Sequence, residues 1–263
     1  MVTLKTKSEI KIMREGGRRH AAVMRKLVAI VRPGMETREL DKLAVQFVKE
    51  EDKDNSGDKS SLLGFRPKGA SRPYPASICV SVNEEVVHGI PTENSRVLRE
   101  GDIVSIDFGL EHCGMFTDMA VTVPVGTVDL HLTALMETTK KALLSGIKAA
   151  KGGKRVRDIS TAIERVGLAA GYGIVEELVG HGVGHGVHEE PYVPNYTSGV
   201  RDEKIILSPG MTLAIEPMFN LGDKDVYYDS DDDYTVIAAD GLPSAHFEHT
   251  VLITKGEAEI LTA

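Results

Sequence analysis

The sequence has no tryptophan and only two cysteines, Cys79 and Cys113, among its 263 residues. Two cysteines cannot form a disulfide framework, so we expect a reducing compartment. A run of about 18 apolar residues is also missing, which excludes a membrane-spanning helix. The opening segment MVTLKTKSEIKIMREGG lacks the apolar core of a signal peptide. We therefore expect a cytoplasmic protein that makes no contact with a membrane.

Basic residues are fewer than acidic ones. The sequence has 31 Lys and Arg and 39 Asp and Glu, which gives a net charge of −8 with His neutral. No strongly basic face is available to meet phosphates, so we expect no direct nucleic-acid readout. The content of 41% hydrophobic and 27% charged residues is ordinary for a globular protein and argues against disorder. A chain of this length forms one large domain or two small ones.

The apolar pattern follows a helical period in four segments and is typical of strands in several others. We predict helices at 8–31, 37–50, 129–150 and 158–170, the second with Thr37 as its N-cap. We predict strands at 77–82, 103–108, 115–123, 212–216, 234–238, 247–254 and 258–261. We predict a polar surface loop at 51–61, irregular backbone at 66–75, a Gly/His-rich loop at 180–191 and a solvated acidic run at 229–233.

The sequence contains a weak internal repeat. VRPGMETRELD (31–41) resembles AKGGKRVRDIS (150–160), and GDIVSID (101–107) resembles GMTLAIE (210–216). Two halves of helix-helix-strand type predict an internally duplicated α+β domain. Chance similarity between common turn sequences is the alternative. We predict a single domain over 1–263, with halves at about 10–125 and 130–260.

Four carboxylates interrupt apolar strand sequence, and a carboxylate inside a strand is costly unless it is paired or binds a metal. They are Asp107, Asp118, Glu216 and Glu248. His181 opens a glycine-rich segment, where small neighbours allow the backbone to approach a site closely. Each residue alone is compatible with a strand edge that faces water. Together they form a hard, oxygen-rich donor set that suits two divalent ions such as Mn²⁺ or Fe²⁺, unlike a structural zinc site.

Six longer motifs surround these residues. They are YPASICVSVNEEVVHGIP (74–91), GDIVSIDFG (101–109), FTDMAVTV (116–123), GHGVGHGVHEEP (180–191), GMTLAIEPM (210–218) and SAHFEHT (244–250). With these motifs the chain resembles, over nearly its whole length, the short bacterial methionine aminopeptidases. That resemblance implies the pita-bread fold, which has duplicated helix-helix-strand halves, an antiparallel sheet and a dinuclear metal site between the halves. The whole chain would then be one catalytic peptidase domain.

The resemblance also implies a role for each matching residue. Two divalent ions (Mn, Fe or Co) would be held by Asp107, Asp118, His181, Glu216 and Glu248. The ions would activate a bridging water and polarise the scissile carbonyl. Glu216 matches the residue that transfers the proton, and His188 matches a donor to the developing oxyanion. His88 matches a histidine that contacts the peptide near the scissile bond.

The resemblance places Tyr74, Cys79 and Tyr234 in the pocket for the methionine side chain, where a thiol and aromatic rings suit a thioether. Ordinary packing is the alternative for Tyr74 and Cys79. The chain departs from the family at four positions. It has Lys68 and Ser71 where Cys and Tyr are usual, and His185 and Val187 where Arg and Phe are usual.

The activity that the resemblance implies is removal of the initiator methionine from nascent proteins when the second residue is small. The implied partners are nascent polypeptide N-termini and the ribosome near its exit tunnel, and the enzyme would act as a monomer in the cytoplasm. A proline-directed (Xaa-Pro) peptidase of the same fold is one rival, although such enzymes usually carry an additional N-terminal domain. A non-catalytic binding protein on this fold is the other, although such relatives typically lose metal ligands.

Overall fold

A computed structural model of the chain describes residues 2–67, 69–197, 199 and 201–263. Its helices are α1 (Lys7–Ile30), α2 (Thr37–Glu51), α3 (Leu130–Ala149) and α4 (Val156–Ala170), with a 3-10 helix at Arg201–Lys204. Its strands are β1 (Lys59–Ser60), β2 (Cys79–Val82), β3 (Glu85–Val87), β4 (Ile103–His112), β5 (Met115–Pro124), β6 (Gly173–Ile174), β7 (Gly180–Gly182), β8 (Glu189–Val193), β9 (Thr212–Ile215), β10 (Met218–Asn220), β11 (Val226–Tyr228), β12 (Val236–Ala238), β13 (Ser244–His246), β14 (His249–Leu252) and β15 (Glu259–Ile260). Among the described residues, no helix has both the length and the apolar character needed to cross a membrane.

The four helices form where the apolar periodicity predicts them. Helix α1 begins after Thr6, whose hydroxyl accepts from the Glu9 amide while the Glu9 carboxylate accepts from the Thr6 amide. The prediction that Thr37 caps α2 is wrong, because Glu36 is the N-cap and Thr37 is the first helical residue. The Thr37 hydroxyl accepts at 3.0 Å from the amide of Arg96, which ties the start of the helix to a distant segment.

The strands pair antiparallel and form two main sheets. Strands β4 and β5 form a long hairpin, with β2 and β1 added along β4. The second sheet has the order β15-β14-β9-β7-β8, and β13-β10-β6 and β11-β12-β3 form two smaller sheets. The prediction of an α+β fold with antiparallel sheets is therefore confirmed.

Each pair of helices packs on its own set of strands. Leu27 of α1 and Leu40 of α2 share a buried cluster with Ile106 of β4. Leu143 of α3 and Ile163 of α4 share a second cluster with β9 and β14 residues. Two helix pairs on two sets of strands are what a duplicated domain requires. The duplication itself stays a prediction.

The Gly/His-rich segment 180–191 contains the antiparallel hairpin of β7 and β8, and the predicted loop is confined to 183–188. His181 lies inside β7, and β7 pairs with both β8 and β9. A Cβ atom on Gly182 would overlap the carbonyl oxygen of Glu190. Glycine is used here for close strand approach, which a reading of glycine as a loop residue misses.

Two acidic segments are more ordered than their composition predicts. Asp232, within the predicted solvated run 229–233, is only 3% exposed. Its Oδ1 accepts from the backbone amides of Tyr234 and Thr235, each at 2.8 Å, so the acidic run is held by local turn bonds. Within 51–61, β1 forms, and the carboxylates of Asp54 and Asp58 turn towards the buried guanidinium of Arg19.

Candidate metal centre

The hairpin of β4 and β5 places two of the predicted ligands on one face. Asp118 pairs with Gly109, and Asp107 pairs with Ala120. Side chains two residues apart on a strand share a face, and paired residues point the same way. Asp107 and Asp118 are therefore diagonal neighbours on the same side of the hairpin.

The second sheet supplies the other three predicted ligands. Ile215 pairs with His249, so the residues next to this pair, Glu216 and Glu248, lie where β9 and β14 come together. His181 pairs with Ala214, which is two residues before Glu216 and on the same face. This register explains why residues so distant in sequence converge.

Direct hydrogen bonds join the two sheets at this point. The backbone amide of Glu248 donates to the carbonyl oxygen of Ala120 at 2.9 Å. Single ligand atoms of Asp118, His181 and Glu248 all lie within 4.8 Å of one another. His181 Nε2 lies 3.3 Å from Glu216 Oε1, which adds the fourth residue to the cluster. Asp107, the fifth predicted ligand, lies beside Asp118 on the same face of the hairpin.

The ring of His181 is oriented for metal binding. Its Nδ1 lies 2.9 Å from the carbonyl oxygen of Gly182, to which it must donate because a carbonyl oxygen only accepts. That bond leaves the Nε2 lone pair directed at the carboxylates. Burial, followed by the neighbouring His188, lowers the pKa of His181 to about 3, so its imidazole is neutral at pH 7.

Burying these carboxylates together in their ionised form costs free energy unless a cation neutralises them. Burial raises the pKa of Asp118 to about 7. Burial and then the charge of Asp118 raise the pKa values of Asp107, Glu216 and Glu248 well above normal. Glu248 Oε1 is buried and has no hydrogen-bond partner within the described part of the chain. A divalent cation would offset both the repulsion and the orphaned oxygen, and this hard donor set fits such an ion.

Two further histidines flank the cluster. The ring of His188 stands edge-on to that of His181, with centroids 4.4 Å apart. His88 adopts a left-handed backbone conformation with φ of 61°. Burial, and then the nearby His188, lowers the pKa of His88 to about 4, so this imidazole is neutral at pH 7.

The predicted pocket residues Tyr74, Cys79 and Tyr234 share one buried cluster with Ala76 and Ile90. The two tyrosine rings meet edge-on at 5.1 Å, and the Tyr74 hydroxyl donates to the Gly89 carbonyl oxygen at 2.9 Å. Cys79 pairs with Asp107 across β2 and β4, which places the cluster beside the carboxylates. The packing alternative remains compatible with this arrangement.

The four positions that depart from the family differ in their surroundings. Ser71 Oγ donates to Asp233 Oδ2 at 2.5 Å. His185 is exposed and its Nε2 lies 2.8 Å from Glu9 Oε1, whereas Val187 is buried. Lys68 lies outside the described residues.

Two residues at the site were not predicted. His246 Nε2 lies 3.5 Å from Glu216 Oε2, and His246 is buried. Its position within the motif SAHFEHT, two residues before Glu248, was a usable signal. The ring of Phe65 lies 5.7 Å from that of His188. Phe65 comes from irregular backbone, where no periodicity indicates which way a side chain points.

Comparisons with known proteins agree over the whole chain. The model of Metallopeptidase family M24 matches residues 11–255. Methionine aminopeptidase 1 of Bacillus subtilis is 43% identical over 262 residues, which cover 100% of this chain and 99% of that protein. The crystal structure of methionine aminopeptidase from Thermotoga maritima is 40% identical with a TM-score of 0.89, covering 100% of this chain and 99% of that chain.

A proline-directed relative is more distant. Prolidase from Pyrococcus furiosus is 23% identical with a TM-score of 0.75, and the match covers 99% of this chain but 65% of that chain. That likeness shows a shared fold and nothing more. The pita-bread fold inferred from sequence is thereby confirmed.

Proposed function

This chain belongs to metallopeptidase family M24, and from that premise we propose that it removes the N-terminal methionine from nascent proteins whose second residue is small. The observation that carries the proposal is the buried cluster of Asp118, His181 and Glu248, whose ligand atoms lie within 4.8 Å of one another. It occurs in a chain that matches methionine aminopeptidases over their full length.

Family membership and the donor set make the chain a metal-dependent hydrolase. We propose that it holds two divalent ions, drawn from Mn, Fe and Co, on Asp107, Asp118, His181, Glu216 and Glu248. When bound, such ions polarise the scissile carbonyl and lower the pKa of water. Carboxylates from both sheets suit a pair of ions better than a single one, because their summed negative charge is large.

The protein's own side chains would accept the proton and make the hydrogen bonds to the substrate. Glu216 lies between His181 and His246 and would accept the proton of the attacking water. His188 would donate a hydrogen bond to the carbonyl oxygen as its negative charge develops. His88, neutral at pH 7, would bind the peptide near the scissile bond and hold it in line.

Substrate choice would depend on two adjacent surfaces. The cluster of Tyr74, Cys79 and Tyr234 would accept the unbranched methionine side chain. The second residue of the peptide would lie near the His88 and His188 segments, where Phe65 narrows the space. Steric conflict there would reject long second side chains.

We further propose that the chain acts in the cytoplasm as a monomer, on nascent N-termini near the ribosomal exit tunnel. The family resemblance and the net charge of −8 support a peptide substrate over nucleic acid. The domain would be a single catalytic unit with halves at about 10–125 and 130–260.

The experiment that tests the function compares substrates of the rival peptidases. Purified protein loaded with Mn²⁺, Fe²⁺ or Co²⁺ is assayed on Met-Ala-Ser and on an Xaa-Pro dipeptide, before and after chelation. We expect methionine release from the tripeptide, loss on chelation and recovery with added metal. Faster cleavage of the Xaa-Pro bond would favour a proline-directed peptidase. No hydrolysis of either peptide with metal bound would favour a binding protein.

A further inference from the structure

Lys5 is buried beside the segment that carries His188. Its side chain is only 1% exposed, and its Nζ lies 2.7 Å from Glu189 Oε2. Thr3 Oγ1 donates to the same oxygen at 2.6 Å. We call residues Thr3–Thr6 the N-terminal strap. The strap is fixed in place by its own backbone, because the Lys5 amide donates to the Gly210 carbonyl oxygen at 2.8 Å.

The other oxygen of Glu189 binds the turn before His188. Glu189 Oε1 accepts from the backbone amides of His185 at 2.5 Å and Gly186 at 2.9 Å. One carboxylate therefore joins the strap to the turn at 184–187. Glu189 directly follows His188, so the same residue holds the backbone on both sides of that histidine.

The turn is shaped to admit the lysine. Gly184 has a φ of 143°, and a Cβ atom there would overlap Lys5 Cε. A lysine is seldom buried unless it is paired. Burial alone would raise the pKa of Glu189, yet hydrogen bonds from Lys5 and Thr3 outweigh it and leave that pKa below its usual value. Glu189 is therefore ionised at pH 7, and loss of Lys5 would leave a largely buried charge uncompensated.

We propose that Lys5 is a positioning residue for catalysis: through Glu189, the buried ion pair holds the turn that places His188 against the substrate carbonyl. This inference rests on the proposed function of His188 as a donor. His188 is exposed, with its ring centroid 4.4 Å from that of His181 and 5.7 Å from that of Phe65, so its backbone largely decides where its nitrogen points. Misplacement of a catalytic group by about 1 Å can cost about 10²-fold in rate.

The test compares Lys5→Met, which removes the charge but keeps the alkyl chain, with Lys5→Arg, which restores a cation. Arg14→Met is the matched control, because Arg14, in α1, also pairs with a carboxylate distant in sequence, Glu259 at 2.7 Å, but is 52% exposed. We expect kcat on Met-Ala-Ser to fall about 10- to 100-fold in Lys5→Met, with little change in KM. Lys5→Arg should recover part of that loss, and Arg14→Met should match the wild type.

A double-mutant cycle separates positioning from general damage. If Lys5 acts through His188, Lys5→Met should have almost no further effect on kcat in the His188→Ala background. An equal fall in both backgrounds would overturn the proposal, as would a wild-type kcat for folded Lys5→Met. If Lys5→Met does not fold, Thr3→Val decides, because it removes the hydroxyl that donates to Glu189 Oε2 and accepts from Lys5 Nζ at 2.7 Å, while it keeps the ion pair. A smaller fall in its kcat is expected, and an unchanged kcat would overturn the proposal.

Hydrogen exchange gives a readout that does not depend on activity. The amides of His185 and Gly186 should exchange faster in Lys5→Met than in wild-type protein, while exchange in α3 stays the same. Unchanged protection of these two amides would contradict the proposal. If the wild type releases no methionine but these amides still lose protection, the proposed function fails and the anchoring by Lys5 stands.

Discussion

Thr250 binds both backbone groups of Asp118: its hydroxyl accepts from the Asp118 amide at 2.7 Å and donates to the Asp118 carbonyl oxygen at 2.8 Å. Thr250 is fully buried in β14, whereas Asp118 lies in β5. Together with the bond from the Glu248 amide to the Ala120 carbonyl oxygen, this side chain ties the two sheets together at the proposed metal centre.

Replacement of this hydroxyl should weaken metal binding. Thr250→Val keeps the shape but leaves the Asp118 amide and carbonyl unsatisfied, at a cost of about 1–3 kcal/mol. We expect metal affinity to fall about 10- to 100-fold, the usual effect of losing a group that orients a ligand. Titration calorimetry with Mn²⁺ measures it, with Thr250→Ser as the control that keeps the hydroxyl. Equal affinities for the valine variant and the wild type would contradict this role.

Glu216→Gln tests proton transfer. The substitution keeps the size of the side chain but removes its charge and most of its basicity. We expect kcat on Met-Ala-Ser to fall at least 10²-fold, the scale of acid–base catalysis. Metal content is measured in the same samples, because Glu216 is also a proposed ligand. A metal-loaded variant with more than a tenth of the wild-type kcat would disprove the assignment.

His88→Ala and His188→Ala test the two flanking histidines. Neither is assigned to the ions, so each variant should keep its metal content while kcat/KM falls. Loss of one transition-state donor typically costs about 10²–10³-fold. Kinetics and elemental analysis of the same preparations provide both quantities. If either variant loses an ion, that histidine is a ligand and its role must be revised.

The Arg19 ion pairs should make stability depend on pH. A hydrogen bond from Arg19 holds the pKa of Asp54 well below its usual value, and Arg19, after Arg18, also helps lower the pKa of Glu15 from 4.5 to about 2. A lowered pKa in the folded state contributes stability above the unfolded pKa, and that stability is lost as the pH falls towards the folded value. Arg19→Met should therefore lower the free energy of unfolding by the largest amount at pH 7, and that loss should shrink as the pH falls below about 4.5.

Urea unfolding of metal-free protein at pH 7, 4 and 3 measures this difference. At pH 7 we expect about 2 kcal/mol, less than the ~3–5 kcal/mol for a fully buried pair, because two of the Arg19 partners, Glu15 and Asp54, face water. Arg18→Met, in an exposed pair, is the control and should have a small effect. A difference between Arg19→Met and wild type that is as large at pH 3 as at pH 7 would contradict the prediction.

Local patterns in the sequence predict much of this molecule. Apolar residues at helical spacing place all four helices, because a packed helix must bury one face. Carboxylates inside apolar strands indicate Asp107, Asp118, Glu216 and Glu248, because such positions are unfavourable without a partner. These signals need only a few neighbouring residues to be visible.

Local patterns do not predict contacts between segments that are distant in sequence. The ion pair of Lys5 with Glu189 joins residues 184 positions apart, and no local rule selects that partner. Asp232 Oδ2 likewise accepts from Asn94 Nδ2 at 3.0 Å, 138 positions away, and β7 pairs with β9, so both depend on neighbours that only the folded chain supplies. Charge and glycine content alone therefore miss the buried residues, Asp232 and His181, that lie within segments predicted as loops.

A competition between peptides in one reaction distinguishes removal of methionine before a small residue from unselective peptide cleavage. Met-Ala-Ser, Met-Val-Ser and Met-Leu-Ser are mixed at equal concentration with metal-loaded enzyme, and the release of each shortened peptide is followed. We expect rapid removal of methionine before alanine, slower removal before valine and almost none before leucine, because a long second side chain collides with the site. Equal rates for the three peptides, or faster release of a non-methionine first residue in a parallel Leu-Ala-Ser reaction, would contradict it.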